Sequence, residues 1–496
     1  MTLADLLLDV RLKRPLPPAL AGAPVSGLEY DSRRVAQGAL FFAFPGSRTD
    51  GRRFAEDALA SGAVAIASES EAPEGLASRW IQVEHGRQAL ALAARTFYGK
   101  PDQRLRLTGI TGTNGKTTTA FLIDAVLRAA GHVTALIGTI EYHLAGRVLP
   151  AVNTTPESLD LERLFAELLA AGGTHATMEV SSHALALGRV YGLHFHTAVF
   201  TNLTRDHLDF HNTMDAYFAA KRKLFEGAGA PPPPFAVLNR DDPYARKIPT
   251  DSGAGILWYG LGPDANLRAR RISSGAQGLR FEAHYGKRSL TLASPLIGKI
   301  NVYNILAACG AGLSYGIPPE TIERGIAGLR SVPGRFERVD EGQPFVVVVD
   351  YAHTDDALRN VIAVARGLNP KRVITVFGCG GDRDRAKRPL MGQAAAQASD
   401  LVVLTSDNPR SEDPLDIMND ALVGIRRTDT PHVVEPDRTA AIAYALKEAR
   451  PGDLVILAGK GHENYQVLKD KTIPFDDRAV AKDVLNGYGY HRASEP

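Results

Sequence analysis

Thr111-Gly112-Thr113-Asn114-Gly115-Lys116-Thr117 is the stretch whose reading decides this chain. A strand-like run, Arg104 to Thr108, leads into it, and a helical run from Thr117 to Ala130 leaves it and stops at Gly131. Strand, glycine loop, helix is the order in which backbone N–H groups converge on phosphate oxygens. The helix N-terminus adds a favourable field and the lysine a point charge. The strict phosphate-loop pattern would place a glycine where Ile110 stands, so only the shorter form is present. The physics survives that. Gly112 and Gly115 permit close approach, Thr113, Asn114 and Thr118 flank the phosphates, and Thr117 offers a hydroxyl to Mg²⁺. The loop reads as an ATP site, but a kinase, a motor ATPase or a GTPase would satisfy it equally.

Working outward, Val133 to Ile137, Ala176 to Val180 and Thr197 to Asn202 read as strands separated by helical segments, the pattern of a parallel sheet with crossovers. From Ile256 to Leu292 the alternation suggests appended antiparallel strands, and Asn301 to Leu313 reads as a helix. Upstream, Ala39 to Phe44 and Ala63 to Ala67 with a helical Phe54 to Leu59 make a small α/β unit, and Lys100-Pro101-Asp102 reads as a linker. Downstream of Val332-Pro333-Gly334, strands at Phe345 to Val349, Val373 to Phe377, Leu401 to Leu404, His432 to Glu435 and Leu454 to Leu457 alternate with helices. That is a second doubly wound unit. The expectation is an α/β chain of three domains, 1–100, 101–335 and 336–496: a small α/β unit, a central ATPase domain with a mostly parallel sheet, and a Rossmann-like C-terminal domain.

Composition agrees. The 496 residues are 44% hydrophobic and 23% charged, and 57 basic against 55 acidic side chains leave a net charge of +2. Such balance gives no bulk attraction to nucleic acid or to a membrane surface. Two cysteines, Cys309 and Cys379, make no disulfide framework and point to a reducing compartment. Met1 to Val10 carries Asp5 and Asp9 and no basic start, unlike a signal peptide, and no apolar run approaches the roughly 20 residues of a membrane helix. A cytoplasmic monomer without membrane insertion is expected.

Other residues carry chemistry less sharply. Glu179 closes an apolar strand, where a carboxylate faces the ligand crevice, yet a surface or helix-terminal charge would look the same. Asn202 to His211 packs His207, His211, Asp206 and Asp209 together, as metal ligands or as caps in a loop. Lys221, in Ala219-Ala220-Lys221-Arg222-Lys223, reads from the residues alone as part of a solvated basic helix face.

Six motifs then occur in order: 111 to 117, Asn153-Thr154-Thr155-Pro156, Glu179-Val180-Ser181-Ser182-His183, Asn202 to His211, Asn301-Val302-Tyr303-Asn304 and Pro333-Gly334-Arg335-Phe336-Glu337. Together they resemble the Mur ligases, ATP-dependent amide synthetases of peptidoglycan precursor assembly, from about Val25 to about Val467. The resemblance implies a UDP-muramoyl-binding first domain, a central ATPase and a C-terminal domain delivering the amino acid, closing before chemistry. It implies ATP contacts from the 111–118 loop, Asn301 and Arg335, with Lys116, Glu179, His207 and Lys221 catalytic. It reverses the reading of Lys221, which the family carbamylates with CO₂. Mg²⁺, or Mn²⁺, would lie on Thr117, Glu179, His207 and that carbamate.

Tyr30-Asp31-Ser32-Arg33 resembles the uridine-binding start of the members that add the third peptide residue, which places Ser32 toward uridine and Thr154, Thr155, Ser181 and Arg189 toward the muramoyl peptide. Leu187 stands where relatives often carry glutamine, and Asp355 where proline is usual; the second change is expected to affect only a turn. Asp407-Asn408-Pro409-Arg410 resembles the motif of the diaminopimelate-adding members. Arg383 and Arg410 suit a distal carboxylate that lysine lacks, although ordinary surface arginines would look the same. Gly459 and Glu463, the latter toward the distal amine, complete that expected set. The resemblance thus implies an ATP-dependent acid–amino-acid ligase acting on small molecules, with the lysine-adding members as alternative.

Overall fold

The computed structural model describes residues 1–46, 49–249, 255–275 and 277–491. The first sheet is wholly parallel: β1 (Gly27–Glu29), β2 (Ala39–Ala43), β3 (Ala65–Ser68) and β4 (Trp80–Gln82), in that order. Strand β2 is buried at every position, as its unbroken apolar run requires when both faces are covered. Leu3, Leu6, Leu7 and Val10 fill one side of this core, so the leucines of the N-terminus are packing residues. Lys100-Pro101-Asp102 is not an open linker. Lys100 takes a left-handed φ of 52°, and the fully buried Asp102 accepts from Arg95 Nη2 at 3.0 Å and from the His194 backbone N–H at 3.1 Å. A buried ion pair pins the junction where the polar sequence suggested solvent.

Among the described residues the central sheet has eleven strands. They are β5 (Arg106–Thr111), β6 (Thr134–Ile137), β7 (Glu141–Leu144), β8 (Arg147–Pro150), β9 (His175–Glu179), β10 (Phe195–Phe200), β11 (Phe235–Asn239), β12 (Gly255–Gly260), β13 (Leu267–Gly275), β14 (Gly278–Tyr285) and β15 (Arg288–Ser294). Their order is β15-β14-β13-β12-β11-β10-β5-β9-β6-β7-β8, with β5 inside the parallel part between β10 and β9. The stretch from Ile256 is not antiparallel throughout. β12 runs parallel to β11 and to β13, and antiparallel pairing begins at β13–β14. The β11 run, short and masked by the prolines before it, and the β7–β8 hairpin went unread in the sequence. One face buries the Lys116–Ala129 and Ile300–Ser314 helices, the other the Ser158–Ala170 and Met214–Glu226 helices.

The third sheet contains β16 (Glu337–Val339), β17 (Val346–Asp350), β18 (Val373–Phe377), β19 (Leu401–Leu404), β20 (His432–Val434) and β21 (Leu454–Ala458), ordered β16-β17-β21-β18-β19-β20. Among the described residues of this sheet, β16 alone pairs antiparallel. Helices Asp355–Arg366, Lys387–Ala398 and Pro414–Ile425 cover one face, Arg438–Glu448 and Asp477–Gly487 the other, so the unit is doubly wound as expected. Asp355 opens the first of these helices and pairs with Arg359 at 2.8 Å.

The second pair of helices is tied to the sheet by a charge pair with no exposure on either side. Arg438 donates to Asp477 at 2.7 and 2.6 Å and to the Ala458 carbonyl at 3.0 Å. Removing one partner strands the other in a dry interior. Asp477→Ala is expected to cost about 3–5 kcal/mol of stability, readable as a shift in urea midpoint.

Candidate active site

In a parallel sheet the carboxyl ends of the strands face the ligand crevice, and here they carry the charged motifs. β5 ends at Thr111 and releases the phosphate loop, β9 ends at Glu179, and β10 leads into Asn202 to His207. Gly112 and Gly115 take φ of 148° and 86°. A Cβ on Gly112 would lie 1.9 Å from Thr201 Oγ1, and one on Gly115 would lie 2.4 Å from Asn304 Oδ1. Both positions therefore exclude any side chain, on conformation and on space.

Lys116 starts the helix and folds back over the loop, donating to the Gly112 carbonyl at 2.9 Å and the Thr113 carbonyl at 2.7 Å. Burial depresses its pKa. The Thr117 hydroxyl donates to Glu179 Oε2 at 3.0 Å and accepts from Arg335 Nη2 at 3.2 Å. Glu179 also accepts from the Thr139 backbone N–H at 2.8 Å and hydroxyl at 3.1 Å. Thr139, which the sequence reading missed, offers no motif of its own. Asn301 accepts from Asn304 at 2.9 Å, and both line the same cleft.

His207 caps a short helix at a left-handed φ of 53°, beside His183 and Asp206. Burial pushes its pKa down to about 3, leaving a neutral imidazole at pH 7. Burial opposes the charge of Asp206, but His207 and Lys387 outweigh it and hold the carboxylate well below its usual range. Lys221 is not on a solvated face. It is 1% exposed, on the inner side of the Met214–Glu226 helix, and donates to the Gly112 carbonyl at 2.8 Å. Burial, and then Lys116, drive its pKa well down. Two lysine ammonium groups thus point at one carbonyl oxygen.

Lys116, Thr117, Thr139, Glu179, Asp206, His207 and Arg335 line a cavity of about 300 Å³, faced from the C-terminal domain by Asp350, Tyr351, His353 and Thr354. Asp356 accepts from Asn114 Nδ2 at 2.8 Å and from the Thr204 hydroxyl at 3.1 Å, and Lys387 pairs with Asp206. Glu179 and the Thr117 and Thr139 hydroxyls are hard oxygen donors on one wall, a set that suits Mg²⁺, with His207 beside them. Among the described residues no three His, Cys, Asp or Glu side chains converge as a metal cluster.

Beside β9, Thr155 donates to the Glu179 carbonyl at 2.9 Å, accepts from the Ser181 backbone N–H at 3.1 Å, and its own carbonyl accepts from Arg189 at 3.0 Å. Thr154 meets Thr139 at 3.1 Å. Arg189 and Arg87 of the first domain both pair with Glu157, which joins this wall to the small sheet. Leu187, half-buried, ends the Ser182–Leu187 helix one turn from these groups. Ser32 opens a short helical turn in the first domain, next to the Tyr30–Asp160 hydrogen bond of 2.6 Å.

The C-terminal residues gather at the ends of β19 and β21. Gly459, with φ of 113°, leaves room for Asp407 Oδ2, which would lie 2.6 Å from a Cβ. Asn408 donates to Glu463 at 2.9 Å, and burial, then Asp407, raise the Glu463 pKa. Lys460 is fully buried and donates to Asn408 Oδ1 at 3.0 Å; it stands within Gly459-Lys460-Gly461-His462-Glu463, where its flanking glycines were its only signal. Arg410 takes φ of 52° after Pro409 and donates to the Gly381 carbonyl at 2.8 Å. Arg383 is exposed, held by its own loop at the Asp382 carbonyl. Burial and the neighbouring Arg383 both lower the pKa of Arg410, so two cations share this corner.

Three family models match in sequence: Mur ligase family, catalytic domain, at 24–98; Mur ligase middle domain at 110–312; and Mur ligase, glutamate ligase domain, at 334–461. The chain is 75% identical over 492 residues to a Solibacter usitatus protein named UDP-N-acetylmuramoyl-L-alanyl-D-glutamate--2,6-diaminopimelate ligase, covering 99% of this chain and 100% of that one. A protein of the same name from Geobacillus kaustophilus is 47% identical, covering 94% and 96%. A solved structure titled with that name superposes with a TM-score of 0.68 at 34% identity, covering 96% of this chain and 98% of the other.

Proposed function

The chain belongs to the Mur ligase family, and on that premise we infer that it joins meso-2,6-diaminopimelate to UDP-N-acetylmuramoyl-L-alanyl-D-glutamate with consumption of ATP, making the UDP-muramoyl-tripeptide of peptidoglycan synthesis. The observation that carries this reading is the 75% identity across 99% of the chain to a ligase of that name. The site is in keeping with it, since a phosphate loop and a paired-arginine corner lie on facing domains. Residues 1–100 would hold the UDP-muramoyl end, 101–335 ATP, and 336–496 the amino acid. No helix among the described residues is long and apolar enough to cross a membrane. We place the enzyme in the cytoplasm as a monomer.

The chemistry divides into two transfers. The γ-carboxylate of D-glutamate attacks the terminal phosphorus of ATP, a C–O–P link forms as the β,γ bridge breaks, and ADP leaves. The diaminopimelate amine then attacks the acyl carbon and loses its proton, and phosphate departs from the tetrahedral intermediate. The 111–118 loop would bind the phosphates through its N–H groups, with Lys116 and Arg335 balancing charge that moves between oxygens. Ser32 would meet uridine, and Thr154, Thr155, Ser181 and Arg189 would orient the acceptor peptide. Mg²⁺, or Mn²⁺, would be held by Thr117, Glu179, His207 and a carbamylated Lys221, and would neutralise phosphate charge. Domain closure excludes water that would hydrolyse the acyl phosphate.

The test is phosphate release from ATP with UDP-muramoyl-dipeptide present, across candidate amino acids. Product with diaminopimelate and none with lysine is expected; the reverse would overturn the specificity, and release without any amino acid would return the chain to the plain ATPases. Arg410→Ala should raise the KM for diaminopimelate by about 10–100-fold, the value of one charge-assisted contact, while the KM for ATP moves less than about twofold.

A further inference from the structure

The two arginines of the amino-acid corner sit on separate loops, 378–384 after β18 and 405–413 after β19, and neither loop is regular structure. Their relative position must therefore be set by contacts between them. Several are backbone contacts. The Gly381 N–H donates to the Asn408 carbonyl at 2.9 Å, and a Cβ on Gly381 would lie 1.9 Å from the Pro409 carbonyl oxygen. Asp382 accepts from the Ser411 hydroxyl at 2.6 Å. Behind them lies a guanidinium with almost no access to water.

Arg388, 1% exposed, is the second residue of the Lys387–Ala398 helix. Its Nη2 donates to Glu412 Oε1 at 2.7 Å and to the Gly380 carbonyl at 3.4 Å, and its Nη1 donates to Asp420 at 2.9 Å. Glu412 Oε1 in turn accepts the Asp382 backbone N–H at 2.5 Å. One planar side chain thus grips the loop of Arg383 at Gly380, the loop of Arg410 at Glu412, and the Pro414–Ile425 helix at Asp420. A lysine, with a single nitrogen on a flexible stem, cannot span three such acceptors.

We propose that Arg388 is a positioning residue for amino-acid selection: it fixes the separation of Arg383 and Arg410, and through it the fit of the distal carboxylate. It does not touch the amino acid. The two loops also have a reason to part, because like charges on Arg383 and Arg410 repel until an anion lies between them. Arg388 opposes that opening from behind.

This rests on the reading of Arg383 and Arg410 as the carboxylate site, and the experiment separates the two. Steady-state constants for all three substrates are measured in R388K, in E412A, in R410A and in R388K/R410A. Glu412 is only half-buried, so E412A keeps the test open if R388K does not fold. The expected result is a KM for diaminopimelate raised about 10–100-fold in R388K and E412A, as for an ångström-scale misplacement, with KM values for ATP and the UDP-muramoyl-dipeptide within about twofold. The double variant should be no worse than R410A alone, since Arg388 acts through that contact. Unchanged KM for diaminopimelate in either folded variant overturns the proposal, as does an equal rise for all three substrates or full additivity with R410A. An unaffected R410A would instead remove the carboxylate reading itself.

Discussion

Lys116→Ala is expected to lower kcat for ligation by about 10³-fold or more, equal to about 4 kcal/mol of transition-state stabilisation. Lys116 is the first residue of the helix behind the phosphate loop, and its ammonium lies on the Gly112 and Thr113 carbonyls of that loop. Those carbonyls hold the charge in place before any nucleotide arrives, so little reorganisation is left for the reaction. In phosphoryl transfer charge moves onto the bridging and equatorial oxygens, and a fixed cation in a dry site stabilises that state more than the ground state. The loss should therefore fall on kcat, with a smaller rise in KM for ATP and none for diaminopimelate. Rapid-quench measurement of acyl-phosphate formation, with melting to verify the fold, reads this directly. A kcat within tenfold of the unaltered enzyme would mean that Lys116 serves only the loop's structure.

How far the residues alone reached follows from the range of the forces involved. The phosphate loop, the strand ends carrying Glu179, and the doubly wound third unit are local patterns, and they were legible. Lys221 was not. Its neighbours Arg222 and Lys223 suggest a solvated face; the resemblance argues against that, and the helix phase, which turns Lys221 inward beneath Gly112, is the physical reason. Thr139 and Lys460 were missed for the same reason, because their partners lie 40 and 52 positions away. Asp102 was misread because a Lys-Pro-Asp tripeptide looks like a linker until Arg95 and His194 enclose it. The stretch from Gly255 hid a parallel strand because alternation marks one-sided burial and not strand direction. Burial and long-range pairing are the parts that a local pattern does not carry.

Lys221→Ala should abolish turnover, by about 10³-fold or more, with partial recovery in millimolar formate or acetate. The argument begins with an electrostatic conflict. Lys116 and Lys221 both donate to the Gly112 carbonyl, at 2.9 and 2.8 Å, and Lys221 is 1% exposed. Two ammonium groups so close in a dry site repel, and burial favours the uncharged amine at Lys221. A neutral amine there would attack CO₂: an N–C bond would form, a proton would leave to solvent, and the neutral group would become an anion next to Lys116. Repulsion would turn into attraction, and a carboxylate-like group would stand near His207, on the side where a divalent cation would need oxygen ligands. Alanine removes both the nitrogen and the carbamate, leaving a space that a small carboxylate could enter. Depleting CO₂ from the unaltered enzyme should lower its activity reversibly, and bicarbonate should restore it. Rescue by formate or acetate but not by chloride at equal ionic strength separates a missing carboxylate from a collapsed site. Full activity in Lys221→Ala would rule out the carbamate and leave Lys221 as a brace for the phosphate loop.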